Sequence, residues 1–282
     1  LKVKERPTGR LNVGFAIDSR RRLIGLAEVF ETNFRGTGRT VGINFQSTGG
    51  RNGSSIEVLF TEPYLDRHRT ALSVSLYNKL VYRFTSNFFG GQLDPNLEQQ
   101  YDERRRGITL GLSRPLSELL TASVGLRAED VNTNRVATNQ GGGFIRQDGT
   151  LTSLSLRGVY NNRDFDLDPA QGQYLALALE PGFTNIRSAE QQFIDSGVVK
   201  LGQSSFLRAS IDYRLYYSPQ GRRTQPDDRR QVFAIRAYYG TISGTVPFFE
   251  QFFIGGAETL RGYPEDRFWG KNAALLSVEF RQ

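Results

Sequence analysis

Apolar and polar residues alternate with a period of two along most of this chain. Leu11, Val13, Phe15 and Ile17 are interleaved with Asn12, Gly14, Ala16 and Asp18. Val41, Ile43 and Phe45 alternate with Gly42, Asn44 and Gln46, and Leu72, Val74 and Leu76 with Ser73, Ser75 and Tyr77. The same spacing returns at 108–112, 120–126, 175–179, 207–215, 233–239 and 274–280. Successive side chains of a strand point to opposite faces, so each set lines one face with apolar groups. Helical spacing does not persist beyond two turns. The pattern predicts about twelve strands of roughly eight to twelve residues, long enough to cross a bilayer when tilted.

The connections carry a second pattern. Tight turns are expected near 33–38, 63–68, 114–118 and 163–172, and long connections near 84–103, 129–150, 184–202 and 242–272. Short turns at one end and long loops at the other are the habit of an outer-membrane barrel. The first two connections on the long side, near 18–22 and 47–54, are short exceptions. Alternation alone leaves open which face points inward. In a soluble barrel the Leu, Val, Ile and Phe set fills the interior. In a membrane barrel it meets lipid, and the Ser, Thr, Asn, Arg and Glu set lines a wet lumen. About twelve long strands make a barrel too wide for side chains to fill, which favours the membrane.

Composition agrees with that reading. Mean hydropathy is −0.43, and no apolar run reaches the 18 or so residues of a spanning helix, yet an alternating barrel looks hydrophilic on average. With 282 residues the chain suits one large domain. It has no cysteine, which excludes a disulfide framework and Cys-based zinc sites. The first ten residues lack the apolar centre of a signal peptide, and the absence of a starting Met is expected of a trimmed product or a fragment.

Candidate chemistry concentrates at 247–263, PFFEQFFIGGAETLRGY. Four Phe residues precede the pair Gly255 and Gly256, and Leu260, Arg261, Gly262 and Tyr263 follow, with the only Trp at Trp269. Paired Gly lets the backbone reverse sharply, and a guanidinium beside Gly is open to a carboxylate or an aromatic face. The residues alone allow two readings: a long surface loop, or a loop folded into the lumen with Arg261 pinned to the wall.

The paired Gly, the spacer and the Leu260-Arg261-Gly262-Tyr263 tetrad resemble the sixth extracellular loop of the BamA/TamA outer-membrane assembly-factor superfamily. Asn33-Phe34-Arg35-Gly36-Thr37-Gly38, the segment from Phe60 through Glu62 and Pro63 to Leu65, and the Asp164–Gly172 stretch with Pro169 are similar to the family's turns, in the family's order. The resemblance implies a fold class: an all-β, transmembrane, antiparallel up-and-down β-barrel, about twelve strands being present of some sixteen expected. Residues 1–9 would be the end of a polypeptide-transport-associated (POTRA) domain and its linker, and 10–282 the barrel without its last strands. It further implies that Arg261 pairs with Glu279 on the following strand, and that the first strand (Leu11, Val13, Gly14, Phe15, Ala16 and Ile17) forms a seam that opens to client proteins. The implied activity is insertion and folding of β-barrel proteins in the outer membrane of a diderm bacterium or a bacterially derived organelle. A two-partner secretion transporter of the same superfamily and a passive porin are the alternatives. The implied partners are outer-membrane lipid (lipopolysaccharide included), unfolded barrel clients and accessory assembly subunits. No enzyme activity, cofactor or nucleic acid is implied.

Other signals are weaker. Asp164, Asp166 and Asp168 begin like a calcium loop, but Pro169 stands where Gly is needed and Leu175 where a bidentate Glu belongs. No metal is expected there. His68 is the only His and reads as a solvated turn residue. Gly141-Gly142-Gly143 lacks the Lys and helix of a phosphate loop. The net charge is +7, nearly all the positive charge is Arg, and Arg runs stand at 20–22, 104–106, 222–223 and 229–230. These runs sit at strand ends rather than on one stripe with stacking aromatics, against a nucleic-acid reading. Arg104, Arg105 and Arg106 are instead candidates for contact with lipid or lipopolysaccharide phosphate on the long-loop rim.

Overall fold

The computed structural model describes residues 7–17, 23–47, 53–86, 98–135, 146–225, 228–263 and 266–282. Its strands are β1 (Gly9–Ile17), β2 (Leu23–Phe34), β3 (Arg39–Ser47), β4 (Ser54–Glu62), β5 (Ala71–Ser86), β6 (Glu98–Pro115) and β7 (Leu120–Arg135). There follow β8 (Gln147–Asn161), β9 (Gly172–Ala189), β10 (Gly202–Tyr217), β11 (Val232–Gly244), β12 (Phe252–Ile254), β13 (Phe268–Gly270) and β14 (Asn272–Arg281). Twelve of them form one sheet in the order β1 to β11 and then β14, each antiparallel to the next. β12 and β13 pair only with each other, inside the connection between β11 and β14. The sheet ends at β1 and β14, with no pairing between them among the described residues.

Polar side chains close the turns on the short side. Asn33 Oδ1 accepts the Gly38 amide at 2.7 Å, with Gly36 and Gly38 both at φ 72°. Asp66 accepts the Thr70 hydroxyl at 2.8 Å and the His68 and Thr70 amides, and also pairs with Arg114. The Thr70 hydroxyl, and after it these amides and Arg114, outweigh burial and hold the Asp66 carboxyl well below the usual carboxylate range. In the β8–β9 turn, Asp164 accepts the amides of Phe165, Ala170, Gln171 and Arg223. Burial pushes the Asp164 carboxyl up, but these four amides win and its pKa is lowered. Asp166 serves Arg163, and Asp168 serves Arg223 and Arg281, so the three carboxylates diverge rather than converge.

The strands on the long-loop side run further than alternation suggested. β5 extends to Ser86, β7 to Arg135, β8 starts at Gln147 and β9 ends at Ala189. The segments expected as loops at 84–103, 129–150 and 184–202 shrink to 87–97, 136–146 and 190–201. Above a membrane the outer face of a strand needs no apolar residues, and here the inner face is buried partly through Glu103, Glu129 and Thr133, so the apolar alternation lapses while the backbone ladder continues. The expected basic run 104–106 therefore lies within β6 rather than at a loop.

The faces are assigned by what they touch. Leu76, Leu110, Leu126, Leu156, Leu177, Ile211, Phe233 and Val278 lie exposed on one face. The opposite face carries the buried Glu103, Arg105, Glu129, Ser153 and Thr184. That polar face receives the connection 245–271. An interior of charge with an exterior of Leu, Val and Phe is the inverse of a soluble barrel, and is the arrangement lipid requires. The largest buried clusters lie between wall and connection. One joins Val131, Ile186, Val199 and Phe249; another Leu151, Phe206, Ile242 and Val246.

Candidate functional site: the lumen and its inserted loop

The connection 245–271 starts with a short 3-10 turn, Phe248–Glu250, whose three residues are buried. Phe248 packs edge-on against Phe253 and Trp269, with ring centroids 5.5 and 5.7 Å away. The β12–β13 hairpin then forms a neck, and the tip follows. Gly255 N donates to Thr259 Oγ1, which donates to Gly255 O, both at 2.8 Å. Gly256 N donates to Tyr263 O at 3.1 Å. Gly256 and Gly262 have φ 85° and 86°, a left-handed conformation that side chains with a Cβ avoid. The two glycines thus close the tip as a compact reversal around Leu260 and Arg261.

The tip reaches far down the wall. Arg261 Nη2 lies 3.5 Å from Glu279 Oε1. Glu279 is seven residues along β14 from Asn272, a descent of roughly 23 Å at about 3.3 Å per residue. Glu279 also accepts Arg281 Nη2 at 2.9 Å. Nearby, Arg236 and Arg214 share Asp212 at 3.1 and 2.7 Å, and Arg236 Nη1 approaches Glu258 O at 3.5 Å. A lumen cavity of about 500 Å³ lies among these groups, with Leu260, Ser277 and Tyr216 on its walls. Tyr263 stacks tilted on Phe268 at 5.4 Å.

A second ion cluster sits above, at the stem of the loop. Arg105 pairs with Glu103 at 2.8 Å, Glu129 at 3.0 Å and Glu250 at 2.9 Å. Arg127 pairs with Glu250 at 2.9 Å and Glu180 at 2.8 Å, and Arg208 with the same two carboxylates at 2.9 Å each. Tyr77 Oη donates to Glu129 at 2.6 Å and Ser153 Oγ to Glu180 at 2.6 Å. Four carboxylates and three guanidiniums thus pair in one network, with Glu103, Arg105, Glu129 and Glu250 buried and Arg127, Glu180 and Arg208 partly open. Among the described residues no group of His, Cys, Asp and Glu is placed to hold a metal. The site offers anchoring rather than bond-making chemistry.

Of the sequence candidates, Gly255, Gly256, Leu260, Arg261, Gly262 and Tyr263 all lie in the tip, and Glu279 faces it. The β1 side chains Leu11, Val13 and Phe15 are exposed on the sheet edge, Gly14 has open space beside it, and Ala16 is exposed. The Ile17 side chain lies outside the described residues, as do Asp18, the Arg20–Arg22 run and the Gly141–Gly143 tract. The run Arg104, Arg105 and Arg106 splits: strand alternation turns Arg105 inward, where 7% of its side chain is exposed, and Arg104 and Arg106 outward. Arg105 is committed to three carboxylates and is not a lipid contact. Arg104 itself donates to Ser54 O at 2.6 Å and Asn78 Oδ1 at 3.2 Å. The stem cluster was not foreseen from the sequence. Its one visible sign is Glu250, a lone acid between two Phe pairs.

Residues 33–275 match the Omp85 superfamily domain. The chain belongs to the Omp85 superfamily. This superfamily is one of outer-membrane β-barrels, and its membrane-protein assembly domains are in general not enzymes. The chain is 24% identical over 277 residues to the outer membrane protein assembly factor BamA of Neisseria meningitidis serogroup B, covering 93% of this chain and 31% of that protein. It also superposes on the crystal structure of BamA from Haemophilus ducreyi lacking POTRA domains 1–3, with a TM-score of 0.63 and 18% identity, over 93% of this chain and 47% of that one. The chain thus spans about a third of the curated relative and about half of the solved structure. The twelve-stranded antiparallel sheet of this Omp85 domain resembles the barrel of that structure.

Proposed function

We propose that this Omp85 domain inserts and folds β-barrel proteins in an outer membrane, offering β1 as a template to the client. The observation that supports it most directly is the Omp85 match over residues 33–275, together with the likeness to the outer membrane protein assembly factor BamA. β1 is the first strand of the sheet and pairs with β2 along a nine-residue register. Unpaired backbone N–H and C=O groups are costly in lipid. A nascent client strand carries such groups, and pairing it with β1 would satisfy them, as in strand addition. β1 is also lightly held, since a Cβ built on Gly14 meets nothing within 4 Å.

In this reading residues 10–282 are barrel and 1–9 the exit from a POTRA domain. Arg261 and Glu279 steady the loop tip, and Arg104 and Arg106 face lipid or lipopolysaccharide phosphate on the extracellular rim. The partners are outer-membrane lipid, unfolded barrel clients and accessory subunits in a diderm bacterium. A passive porin is disfavoured, because the space a porin leaves open is occupied by the inserted loop.

The test uses the full-length protein in proteoliposomes. These 282 residues contain no cysteine, so Asn12→Cys or Ala16→Cys places on β1 the one crosslinking site of this domain. The expected result is faster folding of an added barrel client, followed by its heat-modifiable gel mobility, with disulfides from β1 to the client's last strand. A client that folds at the rate of lipid alone and never crosslinks refutes the proposal. Passage of an unfolded polypeptide through the lumen under those conditions would favour the transporter instead.

A further inference from the structure

The loop in the lumen has two attachments, and they are unequal. At the tip, 79% of the Arg261 side chain is exposed, and Arg261 shares Glu279 with Arg281. At the stem, Glu250 is 3% exposed and meets three guanidiniums, Arg105 from β6, Arg127 from β7 and Arg208 from β10, each at 2.9 Å. The stem backbone is held by the same wall. Arg105 Nη2 donates to Phe249 O at 2.7 Å, and Arg208 Nη2 donates to Glu250 O. Phe248 N donates to Gln147 Oε1 of β8 at 2.6 Å. Beneath them Phe249 is packed among Val131, Ile186 and Val199.

From this geometry we infer that Glu250 is the positioning residue of the inserted loop: the stem, not the Arg261 tip, keeps the loop in the lumen, and in doing so ties β6, β7, β8 and β10 into one rigid wall. Charge-assisted bonds in a site shielded from water are much stronger than a shared ion pair in an open lumen. The wall alone carries Glu103, Glu129 and Glu180 against the three arginines and Lys79, which faces Arg105 across the ladder. The loop's Glu250 supplies the fourth negative charge, so wall and loop hold each other by charge. The inference stands whichever polypeptide the domain handles.

Glu250→Gln tests it. The amide keeps the shape but turns an N–H donor towards guanidinium donors, while the strand ladders of β5 to β10, which do not involve Glu250, keep their pairing. Folding is checked by heat-modifiable mobility. Spin labels at Ala257→Cys on the tip and Leu177→Cys on the lipid face of β9 report the tip position in the full-length protein. The expected result is a shift of the distance distribution, the ratio of inserted to released loop falling by roughly a hundredfold. Glu250→Asp, which keeps the charge, should retain most of the inserted population. Folded Glu250→Gln protein with the parental distance overturns the inference. So does release by Glu250→Asp equal to that by Glu250→Gln, which would assign the tether to shape and not to charge.

Discussion

The pair formed by Arg261 and Glu279 lends itself to a quantitative prediction. Removing Arg261 by Arg261→Ala and Glu279 by Glu279→Gln, singly and together, isolates their coupling in a double-mutant cycle. At 3.5 Å the Coulomb energy of two unit charges is about 1 kcal/mol in water, and about four times that at an effective dielectric of 20. The side chains are 79% and 33% exposed, so the watery limit applies. Arg281 at 2.9 Å remains to neutralise Glu279 when Arg261 is gone. Holding a long Arg side chain in one geometry costs rotamer entropy besides. The expected coupling is therefore about 0.2–1 kcal/mol, and it should shrink as salt rises from 0.05 to about 0.5 M through screening. Urea unfolding of the full-length protein in lipid vesicles gives the four stabilities. A coupling above about 2 kcal/mol, or one indifferent to salt, would refute the reasoning and show that the lumen around the tip excludes water.

Three further outcomes are expected. Leu126→Arg, on the exposed face in the middle of β7, should cost about 2–4 kcal/mol in vesicles while Ser155→Lys, on the lumen face of β8, costs little; equal costs would mean the faces are wrongly assigned. Phe206 lies directly across the ladder from Gly182, where a Cβ would come within 2.3 Å of its ring, so Gly182→Val should displace Phe206 from Leu151 and Ile242 and destabilise the barrel by about 1–3 kcal/mol; an unchanged urea midpoint would contradict that packing. The Thr224 amide and hydroxyl, with Arg230 and the Gln225 amide, hold the Asp228 carboxyl down at about 2 despite some desolvation. A depressed carboxyl stabilises the fold above its unfolded pKa, near 4, and loses that contribution as pH falls through its folded pKa. The β10–β11 turn should accordingly be intact at pH 5 and loosen between about pH 4 and 2; an NMR titration placing the Asp228 midpoint near 4 would dismiss the effect.

The period-two alternation by itself determined the strands that cross the apolar zone. The Leu72, Leu110, Leu126 and Leu177 sets all sit in strands of the sheet, and the turns at Asn33–Gly38, Asp66 and Asp164 were legible because only certain residues close them. The motif from Gly255 to Tyr263 marked the inserted loop for a similar reason: Gly256 and Gly262 occupy backbone conformations closed to other residues. Tertiary structure alone decided the rest. Alternation is symmetric, so nothing local says whether Leu or Glu points inward; that needed the loop seated against one face. The upper parts of β6 to β9 lack the apolar alternation because their inner face is buried largely through polar groups such as Glu103, Glu129 and Thr133 against the loop, and their ladders hold without it. Arg104, Arg105 and Arg106 read as one run, yet the pleat sends the middle one to the opposite side. Glu250 lies 145 and 123 residues from its guanidinium partners Arg105 and Arg127, a separation that only the closing of the loop onto the wall brings to 2.9 Å.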